Sequence, residues 1–178
     1  MVKLRKFVSY RRIERPYTRV SKFKKKAYIK AKPASKIIRF EMGNLQKTDF
    51  EYKLVLKSKR DLQIRHNAIE SARQSSNKLL EEKLGKTNYR FKIRIFPHHV
   101  LRENPLASGA GADRMSTGMK CSFGKTIGVA ARIKKGQEMF EIETNKNGLT
   151  LARAALRRVA QKLPCSCTIG MEKRNIAV

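Results

Sequence analysis

The clearest pattern of apolar and polar positions is a strict alternation in residues 89–96, YRFKIRIF. Side chains of a β-strand point alternately to its two faces, so the alternation predicts a strand with one buried face. The apolar face carries Tyr89, Phe91, Ile93 and Ile95. The other face carries three cations in a row with no acid beside them, namely Arg90, Lys92 and Arg94. Because like charges in a row repel each other, we expect this face to meet phosphate; a solvated sheet edge protected by charge is the alternative.

Residues 50–57 (FEYKLVLK) alternate in the same way and predict a second half-buried strand. Shorter β-prone runs lie at residues 36–40 (KIIRF) and 165–171 (CSCTIGM), and the first of them ends at a turn signal, Gly43-Asn44.

Two further runs predict a β-hairpin. Residues 128–133 (GVAARI) and 138–143 (EMFEIE) flank a turn-forming segment, Lys134 to Gln137. In this hairpin Glu141 and Glu143 would face water, and we expect this acidic corner to point away from a polyanionic partner.

The first predicted helix runs from about Asp61 to Leu84. Ser58 and Asp61 resemble a capping pair, and Gly85 supplies the C-terminal stop. A buried stripe follows the helical period through Leu62, Ile69, Ala72, Ser76, Leu79 and Leu80. Charges of both signs on the opposite side predict an ordinary solvated face, formed by Arg65, Glu70, Arg73, Lys78 and Glu81.

The second predicted helix follows Asn147-Gly148 and ends at Pro164. Its buried stripe comprises Ala152, Ala155, Leu156, Val159 and Leu163. Four cations lie outside the stripe, namely Arg153, Arg157, Arg158 and Lys162. The order of strands, helix, strand, loop, hairpin, helix and strand predicts an α+β fold, with an antiparallel or mixed sheet and two helices packed on one face.

Residues 96–128 cannot form one regular element. Pro105 disfavours a helix, and glycines such as Gly109 and Gly111 permit backbone angles that other residues avoid. Loops longer than about 12–15 residues are uncommon in compact domains and are usually functional or disordered. The cations of the stretch predict a loop that a rigid scaffold presents to a polyanion, whereas a disordered surface insertion is the alternative.

The net charge of +28 is too large for an ordinary solvated surface, since self-repulsion of that size destabilises a compact state. Residues 1–33 hold thirteen Lys or Arg and a single acid, Glu14, and the remaining charge is spread over the body. We therefore expect a basic extension over residues 1–33 and one α+β domain over residues 34–178. A nucleic acid is the favoured polyanion, because no apolar run approaches the roughly 18–20 residues that span a bilayer.

Aromatic residues recur among the cations of the extension, at Phe7, Tyr10, Tyr17, Phe23 and Tyr28. Cations neutralise phosphates, and aromatic rings stack on unpaired bases, so this composition is typical of an RNA-binding segment. Packing of these rings on the core of the protein itself is the alternative.

No motif predicts catalysis, a cofactor or a metal. Gly124-Lys125-Thr126 resembles the end of a phosphate-binding loop, but five residues separate Gly118 from Gly124 where the motif has four. The spacing of His98, His99, Cys121, Cys165 and Cys167 matches no zinc pattern, and an odd number of cysteines suggests free thiols in a reducing cytoplasm.

Several segments resemble one family. FPHHVLREN, SGAGADRMSTGM and FGK, together with RFKIRI, ERPYTR and KIIRFEMGN, are similar to the universal large-subunit ribosomal protein sixteen in its archaeal and eukaryotic ten-e form, and to the archaeal branch in particular. The resemblance implies an α+β protein embedded in large-subunit ribosomal RNA, without catalytic activity and without self-association. It also implies that the loop, here 102–117, approaches transfer RNA at the peptidyl-transferase centre, among neighbouring ribosomal proteins.

The residues and the resemblance together predict RNA contacts from the extension, the cationic strand and the loop. The predicted RNA-binding residues are Arg11, Arg12, Arg15, Arg19, Lys22, Lys24, Lys25, Lys26, Arg90, Lys92, Arg94, Arg102, Arg114, Lys120 and Lys125. The predicted residues near transfer RNA are Ser108, Gly109, Ala110, Gly111, Ala112 and Asp113. A non-ribosomal RNA-binding or RNA-modification factor is one alternative, and a nucleotide-dependent enzyme that uses Lys125 and Thr126 is another.

Overall fold

The computed structural model describes residues 23, 29, 31–47, 49–103 and 125–174. Their elements, in chain order, are β1 (Glu41–Gly43), β2 (Tyr52–Ser58), β3 (Leu62–Arg65), α1 (His66–Leu84), β4 (Tyr89–Ile93), β5 (His99–Glu103), β6 (Lys125–Ile133), β7 (Glu138–Thr144), a short 3₁₀ turn (Lys146–Gly148), α2 (Leu149–Lys162) and β8 (Cys167–Lys173).

The strands form two antiparallel sheets. A five-stranded sheet has the order β1-β4-β7-β2-β8, and a three-stranded sheet has the order β3-β6-β5. The two helices pack against each other, and α2 also contacts β2, β7 and β8. The predicted α+β class is therefore confirmed, with two sheets in place of the single predicted sheet. The extension over residues 1–33 lies almost entirely outside the described residues, as does most of the predicted loop.

The core lies between the five-stranded sheet and the helices. Phe91 of β4 and Phe140 of β7 stack with ring centroids 5.9 Å apart, and both rings are fully buried. Leu54 of β2 and Leu156 of α2 belong to the same apolar cluster. Since burying one such side chain contributes about 1.5–3 kcal/mol, this layer is the main source of stability in the described fold.

The turn signal after β1 is confirmed. Gly43 has a φ of +86°, which favours glycine because a side chain is strained there. A β-carbon at this position would also clash with the carbonyl of Tyr89. Asn44 then closes the turn, since its Oδ1 accepts hydrogen bonds from the amides of Gln46 and Lys47, both at 3.1 Å.

Helix α1 begins at His66, five residues later than predicted. Residues 62–65 instead form β3, which pairs with β6 in the three-stranded sheet. The predicted capping pair is also wrong: Ser58 Oγ donates to the carbonyl of Arg60 at 2.8 Å, and Asp61 Oδ1 accepts from the amide of Lys135 at 2.6 Å. Both side chains therefore stabilise turns. They do not cap a helix, because the residues that follow them, 62–65, pair with β6 as a strand.

The predicted strand at residues 36–40 is also wrong. The amide of Lys36 donates to His66 Nδ1 at 3.2 Å, and the amide of Ile38 donates to a Glu70 carboxylate oxygen at 3.4 Å. Side chains of α1 thus bind backbone groups that a strand partner would otherwise bind. Pairing with β4 begins only at Glu41, the first residue of β1.

The predicted hairpin after the loop does not form. Its turn is present, with Gly136 at a φ of +80°, but β6 joins the three-stranded sheet and β7 the five-stranded sheet. Ser58 holds this corner through two backbone hydrogen bonds, one to Gly136 at 2.8 Å and one to Gln137 at 3.2 Å. The turn therefore links the two sheets.

The polar side of α1 is only partly the solvated face that its mixed charges predicted, since Lys78 is exposed and Arg65 and Glu81 are half-buried. Glu70 and Arg73 are both buried, and Arg73 donates to Glu70 through Nε at 2.8 Å and through Nη2 at 2.6 Å. The predicted stripe of the second helix is confirmed, because all five of its members are buried. Neither helix of the described part is long and apolar enough to cross a membrane.

Candidate nucleic-acid interface

Five of the predicted RNA-binding side chains lie in the described residues. Arg90, Lys92 and Arg94 lie on β4 and just after it, and Arg102 and Lys125 lie at the facing ends of β5 and β6. The predicted cations of the extension fall outside the described residues, as do Arg114, Lys120 and the segment 108–113. Phe23, one of the extension's aromatics, is described and has an exposed side chain.

The cations of β4 have acidic neighbours on the adjacent strands. Phe91 and Ile93 belong to the core, so Arg90 and Lys92 lie on the face of the sheet away from the helices. Glu41 of β1 meets both, at 2.5 Å from Lys92 Nζ and at 3.3 Å from an Arg90 nitrogen. The expectation that no acid stands beside these cations is therefore wrong, because alternation along one strand does not show what the next strand carries.

Strand β7 supplies two further acids of this face. Glu141 lies 3.4 Å from Arg94 and 3.8 Å from Lys53, whereas Glu143 lies 2.7 Å from Arg174. Both glutamates were predicted to face water, but each is only 4% exposed. Burial raises the pKa of Glu141 above its ordinary value; Lys53 opposes that rise, and the carboxyl group of Glu143 adds to it.

The register of the strands places these charges in alternation across the sheet. Arg90 stands opposite Glu143, which stands opposite Lys53, which stands opposite Glu172. In addition, β4 lies between β1 and β7, so it is not the charge-protected edge strand of the alternative hypothesis. We call this surface the paired face; it comprises Glu41, Lys53, Arg90, Lys92, Arg94, Glu141, Glu143, Glu172 and Arg174.

The ladder of β5 and β6 brings the two ends of the long intervening segment together. Arg102 stands opposite Thr126, and Glu103 stands opposite Lys125. Lys125 is exposed and Arg102 is half-buried. The predicted scaffold at the base of the loop is thus present, although it takes residues 99–103 and 125–128 out of the stretch that was predicted to be irregular.

Histidine and cysteine side chains do not assemble a metal site within the described range of the chain, where no group of three or more candidate ligands occurs. His99 is buried in β5, and this burial lowers its pKa to about 4, with Arg132 and Arg102 adding to the effect. His66 is buried beside Lys36. Cys165 and Cys167 form no disulfide in the described part of the chain, and their Sγ atoms lie 3.6 Å apart. Cys121 falls outside the described residues.

Comparison with known proteins identifies the family. The model of the family described as ribosomal protein L16p/L10e matches residues 15–170 of this chain. The chain belongs to the ribosomal protein L16p/L10e family. It is 47% identical over 165 residues to the large ribosomal subunit protein uL16 of Methanococcus maripaludis strain S2, which covers 92% of this chain and 91% of the relative.

Other archaeal relatives of this L16p/L10e protein show similar agreement. The large ribosomal subunit protein uL16 of Methanococcus aeolicus is 47% identical over 171 residues, covering 96% of this chain and 95% of the relative. The protein of the same name from Archaeoglobus fulgidus is 44% identical over 164 residues, covering 92% and 90%. The resemblance drawn from the sequence segments is therefore confirmed, including its archaeal branch, and so is the expectation that the protein is not an enzyme.

The L16p/L10e protein also carries a cationic surface that the sequence prediction left out of its binding set. We call it the α2 face, and it consists of Arg153, Arg157, Arg158 and Lys162. All four side chains are exposed, and none forms an ion pair with an acid among the described residues. A signal for this surface was available, since residues 149–162 contain four cations and no acid.

Proposed function

We propose that this protein is a structural component of the large ribosomal subunit in the cytoplasm, where it binds ribosomal RNA and helps to position transfer RNA near the peptidyl-transferase centre. The observation that carries this proposal is the family match over residues 15–170. A net charge of +28 supports the RNA partner, because a compact chain with that charge needs a polyanion to offset self-repulsion. Neighbouring ribosomal proteins are further proposed partners, and self-association is not expected.

The proposed RNA-binding residues differ in whether a carboxylate of the protein already neutralises their charge. Arg90, Lys92 and Arg94 already have carboxylate partners at 2.5–3.4 Å, so a phosphate would have to compete with those partners. Lys125 is exposed at the start of β6 and forms no ion pair among the described residues. We therefore expect most of the affinity to come from cations such as Lys125 and the basic extension, with a smaller share from the three on the paired face.

The transfer-RNA part of the proposal concerns the loop 102–117. One support is the resemblance of residues 108–119 (SGAGADRMSTGM) to the family segment. The other is the pairing of the ends of β5 and β6, which fixes the two positions where the intervening chain leaves the sheet. Ser108 to Asp113 remain the proposed residues near transfer RNA. Arg114 in this loop and Lys120 just after it remain proposed RNA contacts.

Salt dependence of RNA affinity tests the RNA-binding proposal. If six to ten phosphates are neutralised, affinity for large-subunit ribosomal RNA should fall by about 10³–10⁵-fold between 50 and 200 mM salt, because each contact releases condensed counterions. Filter binding with large-subunit RNA of Methanococcus maripaludis measures this, with small-subunit RNA as competitor. An affinity that salt leaves unchanged, or that small-subunit RNA abolishes equally well, contradicts specific binding.

Sedimentation separates the ribosomal proposal from the alternative of a non-ribosomal RNA-binding factor. A subunit component should comigrate with large subunits through a sucrose gradient at high salt, since many contacts hold it in place. A protein that stays at the top of the gradient under those conditions would favour the alternative.

A further inference from the structure

We propose that the α2 face is a second RNA-binding surface, which contacts phosphates of large-subunit ribosomal RNA through Arg153, Arg157, Arg158 and Lys162. This inference rests on the proposed function, because it assumes that the protein binds ribosomal RNA, and it assigns part of that binding to a helix on the opposite side of the core from the paired face.

The spacing of these cations is unfavourable for an isolated helix. Arg153 and Arg157 are four residues apart, as are Arg158 and Lys162, so each pair places like charges on adjacent turns of the helix. Helix α2 contains no acid that could offset them. The helix dipole favours a cation in the last turn, which accounts for Lys162 and not for Arg153 in the first half.

Two exposed cations on α1 and at its C-terminal end have acidic partners. On α1 Lys78 lies 3.8 Å from Glu82, and just after the helix Lys86 lies 3.0 Å from Glu81. The paired face follows the same rule. The α2 face differs from these two surfaces because it groups four exposed cations on one helix that contains no acid, and an external polyanion would supply the missing counter-charge.

The composition of the exposed surface favours a nucleic acid over an acidic protein. Apart from the four cations, the exposed residues of α2 are Thr150 and Gln161. Protein interfaces are usually centred on buried aromatic or large apolar side chains, and the exposed residues of α2 include none. The one large apolar neighbour that contacts an α2-face cation among the described residues is Met171 of β8, whose Sδ lies 3.4 Å from Arg153 Nη2. Three of the four cations on the α2 face are arginines, whose planar guanidinium groups bind phosphate oxygens in pairs.

The core fixes the direction of the α2 face. Ala152, Ala155, Leu156 and Val159 are fully buried on the opposite side of the helix, so rotation of α2 would expose them. From Arg153 to Lys162 the face extends about 14 Å along the axis at about 1.5 Å per residue. Double-stranded DNA carries one charge per about 1.7 Å of its axis, so a polynucleotide of similar charge density places several phosphates within that length.

Two more cations continue the surface beyond the end of α2. The amide of Lys59 donates to the carbonyl of Ser166 at 3.1 Å, which places the turn after β2 beside the segment that follows the helix. Arg60 lines a cleft of about 370 Å³ at this junction, together with Leu163 and Pro164. Lys59 and Arg60 are both exposed.

The test compares two variants of the full chain in binding to large-subunit RNA of Methanococcus maripaludis. In the first variant, all four cations of the α2 face are replaced (R153Q/R157Q/R158Q/K162Q). The control variant K78Q/K83Q/K86Q removes three exposed cations from α1 and its C-terminal end. We expect the slope of log affinity against log salt to fall in magnitude by about 3 units for the first variant, at about 0.7–0.9 per lost phosphate contact, and by less than about 1 unit for the control.

An unchanged slope in the first variant, with a steep slope in the wild type, overturns this inference and leaves the proposed function standing. A wild type without salt-dependent binding overturns both. Arginine modification by p-hydroxyphenylglyoxal gives a second test on the wild type alone: bound RNA should protect Arg153, Arg157 and Arg158, and equal modification with and without RNA contradicts the contact.

Discussion

Replacing Arg90, Lys92 and Arg94 together by glutamine is expected to lower the free energy of unfolding by about 3 kcal/mol at pH 7.5, the lower end of the range for breaking buried ion pairs. Glu141 and Glu143, each 4% exposed, would lose cations within 3.4 and 3.9 Å. Each glutamate would keep one cation, Lys53 at 3.8 Å or Arg174 at 2.7 Å, but a buried carboxylate that loses part of its counter-charge is costly because the interior solvates it poorly. The lower end applies because Arg94 is itself 44% exposed in its side chain.

The pH dependence of this variant identifies the cause. Burial already raises the pKa of Glu141, and removing Arg94 raises it further because Arg94 favours the charged form. An acid whose pKa is higher in the folded state than in the unfolded state stabilises the fold below the unfolded pKa, and that contribution is lost as pH rises through the folded pKa. The gap in stability between wild type and variant should therefore narrow from pH 7.5 to pH 5.

Urea unfolding of both proteins at the two pH values measures the gap, and contributions from His66 and His99 cancel in the difference.

Measuring the RNA affinity of the same variant gives a complementary test. If all three cations contacted phosphates, the slope of log affinity against log salt would fall in magnitude by about 2–3 units. We expect this slope to fall by less than about 1 unit, because the three cations are already paired with glutamates. A variant that is as stable as the wild type at pH 7.5 and loses 2–3 units of slope would contradict the assignment of these residues to the fold.

Arg73→Met is expected to destabilise the protein by about 3–5 kcal/mol, the range for a buried pair that loses one partner. Arg73 donates twice to Glu70, which is 8% exposed, and hydrogen bonding from Arg73 is the main reason why the pKa of Glu70 is below its ordinary value. Without Arg73 the carboxylate keeps Gln74 and the amide of Ile38 as partners, but no cation from the described part of the chain.

The double variant E70L/R73M is the matched control for this pair. It removes both charges, and replacing a buried ion pair by apolar side chains is often close to neutral, so most of the lost stability should return. At about 2–4 °C per kcal/mol for a chain of this size, the single variant should melt roughly 6–20 °C below the wild type. A single variant within about 3 °C of the wild type would show that the pair contributes little to stability.

Local pattern was sufficient for the elements whose side chains face the core. The alternation in residues 89–96 correctly placed Tyr89 and Phe91 in the interior, and the helical period in residues 149–163 correctly identified the buried side of α2. These patterns are informative because burial on one face repeats with the period of the element itself. Family-specific segments such as SGAGADRMSTGM supplied the family, which no periodicity could provide.

The wrong predictions all depended on a partner that is distant in the sequence. Residues 62–65 have helical periodicity, but pairing with β6 draws them into a strand. In the sequence, Glu141 and Glu143 resemble solvent-facing positions. In the structure they are buried, with Arg94 beside Glu141 and Arg174 beside Glu143. Residues 36–40 lose their strand because α1 binds their amides. In each case the contact that decides the structure joins residues far apart in the chain, and local sequence does not contain it.

The cations of the paired face and those of the α2 face thus have different roles. Those of the paired face neutralise buried glutamates and stabilise the five-stranded sheet, and those of the α2 face have no acidic partner among the described residues. This division explains how a chain with a net charge of +28 can keep a compact core and still present uncompensated charge to RNA. Counting cations in the sequence would not separate the two groups.

A cryo-EM structure of the large subunit containing this protein tests the division most directly. The account predicts ribosomal RNA phosphate oxygens within about 4 Å of the charged groups of Arg153, Arg157 and Arg158, a common limit for an ion pair, while Arg90 and Arg94 keep their glutamate partners. The opposite arrangement, with phosphates seated on Arg90, Lys92 and Arg94 and the α2 face directed to solvent, would contradict it.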